Sequence, residues 1–422
     1  MGKSLAIRIF NSIMTERLYY HDSFLYQFDA RVLESLEHGG KSAVVLDRTA
    51  FYPTSGGQVY DTGKFLFADN REVPVVEVAE EDDGTILHFV AEKIAPDQTI
   101  TGLIDSARRR DHIQQHSGQH VLSAAFVRLF DAPTVSFHMG VESCTVDLAV
   151  KSLSAAQVAQ AEQLANEIVI EDRPVSIRFV SLDEAREMGV RKLPPKQTGQ
   201  LRLIDMTDFD LTACGGTHVR STGQIGAILV RKIENVKQGI RVEFVCGLRA
   251  VAVARQDYAT LTQAAGLFSA HIRELPQQVE KSIQESKAAG KAQHKLLEEL
   301  AELQAERMLA KGESSPQVVT AVFPDRDATF IKLLAQKLTA SRPEVVALLA
   351  CGGNQPALVF AQSPGMKSNM GQLMKEAMTK LGGRGGGSAD MAQGGLPAGS
   401  TDLPKTEAIL RETAARAIPP NL

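Results

Sequence analysis

Two pairs of side chains in this chain have types and a spacing that suit metal chemistry. His116 and His120 lie four residues apart in HSGQH, and Cys214 and His218 lie four residues apart in CGGTH. Imidazole nitrogen and thiolate sulfur are ligands that zinc prefers, and four of them close a tetrahedral site. If the fold brings the two pairs together, the sequence predicts a zinc centre.

The elements around these pairs are suited to position them. Residues 105–130 are predicted to form a helix, because apolar side chains recur at roughly helical spacing. On such a helix a separation of four residues puts both histidines on one face. Gly215 and Gly216 relax the backbone inside the second pair, so that a tight turn can aim thiolate and imidazole at one centre.

The stretches that carry both pairs resemble the editing domain of alanyl-tRNA synthetases, and resemble still more the freestanding alanyl-tRNA editing proteins of the AlaX type. The similar stretches are HSGQHVLSAAF and TACGGTHVRSTGQIGAILV around the pairs, FYPTSGGQVYDTGKF (51–65) upstream, TVSFHMG (134–140) and GIRVEFVCGLRA (239–250). Their order and spacing follow the family over about residues 14–255. GGNQPALVF (352–360) and GGRGGGSADMAQGG (382–395) resemble the glycine-rich domain that ends alanyl-tRNA synthetases, which implies the long form of the family.

The resemblance implies a trans-editing hydrolase that cleaves a wrong amino acid, serine first and glycine second, from the 3′ end of alanine tRNA. A synthetase pocket for alanine discriminates poorly against both of these amino acids. A second site that hydrogen-bonds the seryl hydroxyl spares alanine, because alanine leaves its buried polar groups unpaired. Zinc can act by activating water or by positioning the substrate. We favour positioning, because a thiolate ligand lowers the Lewis acidity of the metal.

Other residues are candidates for contact with the substrate. The expected catalytic residues are His138, Thr54 and Gln58, and the expected substrate-binding residues are Gly56, Gly57, Arg109 and Lys232. Each candidate also has a purely structural explanation. His138 can be a packed or exposed strand residue, Gly56 and Gly57 can form a β-turn, and Arg109 and Lys232 can be solvated cations. Asp205 or Asp208 is a candidate to orient a ligand histidine, with a solvated turn as the equal alternative. Gln119 is expected to support the site or to lie on the surface.

The expected fold class is α+β and multidomain. Four segments are predicted: a small N-terminal β-barrel domain with the glycine-rich motif (1–100), a zinc-binding α+β editing core (101–255), a helical linker (256–315) and a C-terminal α/β glycine-rich domain (316–422) that binds tRNA or dimerises. The linker is expected to break at Pro276 and not to form a long coiled coil. Residues 382–395 are expected to form a glycine loop.

Composition limits the compartment and the partners. The 422 residues carry a net charge of −4, so contacts with tRNA must come from local basic clusters. Four scattered cysteines without a disulfide framework fit a reducing cytoplasm. No signal peptide or membrane span is evident, and Met14 is an alternative start to Met1. The expected partners are mischarged alanine tRNA and a second copy of the chain, bound through the C-terminal domain.

Two other functions remain open at the sequence level. One is a non-catalytic, zinc-stabilised module that binds tRNA or protein. The other is editing of a different aminoacyl-tRNA, because the editing domain of threonyl-tRNA synthetases is related. A phosphoesterase is disfavoured, because no Asp-His-His run accompanies the glycine-rich C-terminal segment.

Overall fold

The computed structural model describes residues 15–191, 200–237, 239–310, 312, 315–397 and 402–418. The alternative start at Met14 lies outside these residues. The chain divides into two compact units, Met1–Gln263 and Ala264–Leu422. The four-segment division predicted above stays a prediction.

The first unit begins with a closed six-stranded β-barrel. Its strands and a small added pair are β1 (Glu16–Arg17), β2 (Gln27–His38), β3 (Lys41–Leu46), β4 (Arg48–Thr49), β5 (Gly63–Leu66), β6 (Glu72–Glu80), β7 (Ile86–Val90) and β8 (Thr99–Ile104). The order around the barrel is β2-β3-β7-β6-β5-β8, and every pairing in it that the structure describes is antiparallel. Alternate side chains of the strands fill the interior, including Phe65 and His88, both fully buried. Because β8 is one of the barrel strands, the barrel extends through Ile104.

The rest of the first unit packs helices against two small sheets. Its elements are α1 (Ser106–Phe130), β9 (Thr134–Met139), β10 (Cys144–Leu148), α2 (Ala155–Ile170), β11 (Val175–Val180), α3 (Leu182–Glu187), β12 (Leu201–Met206), β13 (Asp210–Ala213), β14 (Ile228–Val236), β15 (Gly239–Cys246) and α4 (Gly247–Gly266). The sheet orders are β14-β15-β10-β9 and β11-β12-β13. The predicted helix over 105–130 is confirmed, and the Asp105 carboxylate caps it by accepting from the amides of Ala107 and Arg108. Helices α2 and α3 each begin with a capping box, at Ser154 and Ser181.

The second unit is a five-stranded sheet with helices on both faces. Its elements are α5 (Leu275–Leu309), β16 (Gln317–Phe323), α6 (Ala328–Ser341), β17 (Val345–Cys351), β18 (Ala357–Gln362), α7 (Met370–Leu381), β19 (Arg384–Gly387), β20 (Met391–Gly395) and α8 (Leu403–Ala417). The strand order is β16-β17-β18-β20-β19. Alternate residues of β17 contribute to two different cores, which explains why that strand is apolar throughout.

Two expectations about the second unit are wrong in detail. Pro276 does not interrupt a helix, because it occupies the first turn of the 35-residue helix α5, where its missing N–H costs no hydrogen bond. Much of segment 382–395 is a hairpin of β19 and β20 and not a loop. Glycine permits this close pairing, since a Cβ at Gly387 would lie 2.3 Å from the Met391 carbonyl oxygen.

Among the helices of the described residues, none is long and apolar enough to cross a membrane.

Candidate metal centre and cavity

The fold brings the two predicted pairs together. The ligand atoms of His116, His120, Cys214 and His218 all lie within 4.8 Å of one another. Cys214 Sγ is 3.4 Å from His116 Nε2 and 3.3 Å from His218 Nε2. Zinc–nitrogen bonds of about 2.0 Å and zinc–sulfur bonds of about 2.3 Å put tetrahedral N and S ligands roughly 3.5 Å apart. The donor set and its spacing therefore fit a zinc ion.

Each histidine of the cluster also has a polar group at its other ring nitrogen. Gln58 Oε1 lies 2.7 Å from His116 Nδ1, and Ser117 Oγ lies 3.3 Å from His218 Nδ1. An Asp210 carboxylate oxygen lies 3.5 Å from His120 Nδ1. Such partners fix the tautomer and orientation of a metal-binding imidazole. The arrangement keeps Nε2 of His116 and His218 turned towards the cysteine sulfur.

Gln58 is held in one orientation by Thr217. Its carbonyl oxygen also accepts from the Thr217 amide at 3.1 Å, and its amide nitrogen donates to Thr217 Oγ1 at 2.9 Å. The side chain is fully buried. Gln58 was predicted to act on the substrate, but the structure places it behind His116, where it orients the ring.

Burial and the neighbouring charges favour the metal-binding forms of these groups. Burial lowers the pKa of His218 to about 3, which favours neutral imidazole. Burial opposes ionisation of the Cys214 thiol, but the three surrounding histidines hold its pKa well below the ordinary value. Burial likewise opposes ionisation of Asp210, whereas the neighbouring His120 and the hydrogen bonds from Arg191 lower its pKa.

A cavity of about 420 Å³ lies beside the cluster. Its lining residues are Gly56, His116, Gln119, His120, Thr134, Val135, Ser136, Phe137, Arg191, Thr212, Ala213, Cys214 and Gly215. Three of the four donors thus face this space directly. The wall also contains several hydroxyl and amide groups. One of them, the side-chain amide of Gln119, donates to the buried Ser123 Oγ at 2.8 Å. The cavity can hold a small polar ligand next to the donors.

The other sequence candidates lie in different places. Gly56 lines the cavity. Gly57 packs against β9, where a Cβ would lie 2.5 Å from the Phe137 carbonyl oxygen. Thr54 and His138 are exposed and do not line the cavity. Lys232 is exposed and paired with Glu234 on β14.

The placement of His138 follows from strand alternation. The Phe137 ring lies 5.5 Å from the His116 ring, and Met139 is buried in the core. Successive strand side chains point to opposite faces, so His138 points away from α1. His138 is therefore not among the residues that line the cavity, and its expected catalytic role stays a prediction.

Arg109 needs a correction, because its side chain is fully buried. Its Nε lies 3.0 Å from both carboxylate oxygens of Asp61, and its other nitrogens donate to the carbonyls of Ser23 and Ala50. A guanidinium enclosed in this way cannot contact a tRNA phosphate. Arg109 instead ties α1 to three segments of the barrel region.

The sequence analysis missed Asp210, and it predicted Arg191 only as part of a basic cluster near the metal region that could contact tRNA. Asp210, and not Asp205 or Asp208, is the acid beside a ligand histidine; Asp205 pairs with Arg178. Arg191 holds Asp210 through two bonds of 2.6 and 2.9 Å. Alternation along β13 was a usable signal, since Asp210 and Thr212 precede Cys214 at even spacing and so share its face.

Family models identify the class of protein to which this arrangement corresponds. Residues 11–108 match the model described as tRNA synthetases class II (A). Residues 201–242, which include the second donor pair, match the model described as the threonyl and alanyl tRNA synthetase second additional domain. The chain thus carries synthetase-type segments in both the barrel and the metal region.

Curated relatives then indicate the particular kind of protein that the chain resembles. It is 29% identical to the alanyl-tRNA editing protein AlaX-L of Pyrococcus horikoshii over 91% of this chain and 95% of the relative. It is 32% identical to the alanine–tRNA ligase of Pyrococcus abyssi over 94% of this chain but only 43% of the ligase. The resemblance to AlaX-type editing proteins that the motifs predicted is confirmed. The chain spans less than half the length of the ligases it matches.

A solved structure aligns with part of the chain. The C-Ala domain from the Aquifex aeolicus alanyl-tRNA synthetase covers 23% of this chain and 90% of its own length, at 28% identity and a TM-score of 0.21.

Proposed function

We propose that the protein is a trans-editing hydrolase that removes a wrong amino acid from alanine tRNA. The observation that carries this proposal is the convergence of four metal-binding donors beside a cavity of about 420 Å³. The similarity to an alanyl-tRNA editing protein along nearly its whole length supports the same activity. This activity implies a cytoplasmic location, where tRNA is charged.

We propose zinc as the metal and serine as the preferred amino acid, with glycine second. Three imidazoles and one thiolate suit zinc, and when bound the ion supplies positive charge that orients the polar groups of the substrate and of water. Gln119, Thr134 and Thr212 line the cavity and offer partners for a seryl hydroxyl. An alanyl group cannot satisfy such partners, so alanine is spared.

The residues of the chain act mainly by orientation. Gln58, Ser117 and Asp210 hold the three imidazoles, and the cavity wall holds the aminoacyl ester close to the donors. An activated ester needs a positioned water and stabilisation of the developing oxyanion, and it needs no covalent enzyme nucleophile. Hydrolysis then releases the free amino acid and the 3′ hydroxyl of the tRNA.

We also propose roles for the exposed cations. Lys232 on β14 and the exposed Lys367, Lys375 and Arg384 of the second unit are available for phosphate contacts. The second unit would strengthen tRNA binding, homodimerisation or both. The four-segment layout of the chain belongs to this proposal.

Deacylation of alanine tRNA carrying serine, glycine or alanine tests the proposed function. Wild type is expected to hydrolyse the seryl ester fastest, the glycyl ester more slowly and the alanyl ester least. Cys214→Ala should lose both the metal and the activity, whereas Cys351→Ala, which alters a buried cysteine of the second unit, should keep both. Equal hydrolysis of all three esters, or full activity without metal, would contradict the proposal.

A further inference from the structure

Arg191 lies in the cavity wall, and hydrogen bonds to Asp210 fix the orientation of its side chain. Its Nε and one Nη donate to the two carboxylate oxygens of Asp210 at 2.6 and 2.9 Å, and its own amide donates to the Leu211 carbonyl at 2.9 Å. Asp210 is almost fully buried, whereas about a fifth of the Arg191 side chain is exposed, at 21%. This fork-to-fork pair is rigid on its Asp210 side and open on the other.

The guanidinium keeps binding capacity on its cavity side. A guanidinium has five N–H donors, and Asp210 occupies two of them. Among the lining residues that the structure describes, Arg191 is the only lysine or arginine. An anionic group that enters this space therefore meets one oriented cation.

The position of Arg191 separates it from the reacting ester. Asp210 lies between the guanidinium and His120, 3.5 Å from the Nδ1 atom of that ring. The metal-binding edges of His116 and His218 face Cys214, on the inner side of the cluster. Arg191 thus lies outside the group of four donors. This position suits contact with a part of the substrate at some distance from the scissile ester, and not with the ester carbonyl.

We infer that Arg191 binds the phosphodiester on the 5′ side of the terminal adenosine of the substrate. The inference rests on the proposed function and deepens it. In an aminoacyl-tRNA this phosphate is the anionic group nearest to the ester, from which one ribose separates it. Arginine matches a phosphate through paired N–H donors. The contact fixes the ribose, and so the ester, against the donor cluster.

The test compares a substrate that has the phosphate with one that lacks it. Rates are measured on seryl-tRNA for alanine and on 3′-seryl-adenosine, with wild type, Arg191→Gln and Arg191→Lys. Arg191→Gln should lower kcat/KM on seryl-tRNA roughly tenfold to hundredfold, and Arg191→Lys should lower it less. Because Arg191 also holds Asp210, both variants should slow hydrolysis of 3′-seryl-adenosine as well, but the loss there should be at least about threefold smaller than the loss on seryl-tRNA.

Salt dependence gives a second readout that a purely structural role would not move. The slope of log kcat/KM against log salt should become shallower by about 0.7 in Arg191→Gln, the value for one contact with a single strand. Arg178→Gln is the matched control, because Arg178 forms an exposed pair with Asp205 outside the cavity lining. It should leave the rates and the slope unchanged. Zinc content is measured for every variant.

The outcomes are distinguishable. A loss on seryl-tRNA that exceeds the loss on 3′-seryl-adenosine, with a shallower slope and retained zinc, supports the inference. An equal loss on both substrates shows that Arg191 acts only through Asp210 and overturns it, as does an unchanged rate on seryl-tRNA. If wild type hydrolyses neither ester, the proposed function fails first.

Discussion

At the scale of single residues, the turn between Cys214 and His218 leaves no room for a side chain at position 216. A Cβ on Gly216 would lie 2.1 Å from the Cε1 atom of His116 and 3.0 Å from Gln58 Oε1. A Cβ on Gly215 would meet nothing closer than the Tyr20 hydroxyl at 3.5 Å, an ordinary contact. Gly216→Ala is therefore expected to weaken zinc binding at least about tenfold, and Gly215→Ala to preserve it.

Competition with a chelator measures both affinities. Both variants replace glycine by alanine, at adjacent positions of the same turn. A general effect of alanine in the turn would therefore weaken zinc binding in both variants. Equal zinc affinity for Gly216→Ala and wild type would contradict the packing described here.

The second prediction at this scale concerns Gln58. Gln58→Ala removes the acceptor of the His116 Nδ1 hydrogen, and loss of such a partner typically costs a factor of about 10 to 100 in metal affinity. Gln163→Ala, on the exposed face of α2, is the control, since Gln163 pairs only with Glu167. Isothermal titration of the metal-free protein with zinc reports the difference. A Gln58→Ala protein with wild-type affinity would show that His116 needs no orientation.

The sequence revealed the donors but not the groups that orient them, and the reason is distance along the chain. His116 and His120 lie on one helix, and Cys214 and His218 lie in one turn, so local rules suffice to recognise each pair. Gln58 and Arg191 reach the cluster only through the tertiary fold, from positions 58 residues and 71 residues away from His116 and His120. His138 lies outside the cavity lining because one step along a strand reverses the face on which a side chain lies.

At the scale of elements, Arg109 joins helix α1 to the barrel. It binds Asp61 and the Ser23 carbonyl, while Ser23 Oγ accepts from the amide of the ligand His218 at 3.0 Å. Arg109→Met leaves the Asp61 carboxylate buried and unpaired, and we expect a loss of about 3–5 kcal/mol in the free energy of unfolding. Urea denaturation followed by circular dichroism measures this loss.

An exposed ion pair provides the comparison. Removing Arg178, whose partner is Asp205, should cost less than about 1 kcal/mol. The double variant Arg109→Met/Asp61→Leu should recover part of the stability lost in the single variant, since no charge is then left buried alone. A stability loss for Arg109→Met no larger than that for Arg178→Met would refute this role.

The barrel contains a histidine that makes its stability depend on pH. Burial lowers the pKa of His88 from 6.5 to about 4, and its ring is bonded to Thr49 Oγ1 and to the Val44 carbonyl. The unfolded chain binds the proton near pH 6.5 and the folded barrel only near pH 4. The contribution of neutral His88 is thus complete above pH 6.5 and is lost as the pH falls towards 4, by about 3 kcal/mol.

Unfolding of wild type and His88→Gln between pH 7 and pH 4 isolates this contribution. The free energy of unfolding should fall more steeply with acid in wild type than in the variant. Parallel curves would mean that His88 titrates normally or is not buried.

The elements themselves were largely predictable, because their signals are local. The helical spacing of apolar residues over 105–130 predicted α1, and the structure also contains the expected N-terminal barrel. Register and edge pairing were not predictable, since they depend on partners distant in sequence. The hairpin of β19 and β20 is an example, because its many glycines are more typical of a loop.

At the scale of the whole molecule, the account depends on a first unit in which α1 and the turn after β13 deliver donors to one point. These donors come from sequence positions about a hundred residues apart, and Gln58 from the barrel region supports them. The second unit has cores of its own, built on both faces of its sheet. The chain thus combines a compact unit that carries the candidate site with another whose proposed role is binding.

X-ray absorption at the zinc edge of the purified protein tests the central claim most directly. The account predicts about one zinc per chain, with one sulfur ligand near 2.3 Å and nitrogen ligands near 2.0 Å. A spectrum that lacks the sulfur ligand would show that the two pairs do not share an ion, and protein without bound zinc that nevertheless deacylates seryl-tRNA would contradict a role for the metal in the reaction.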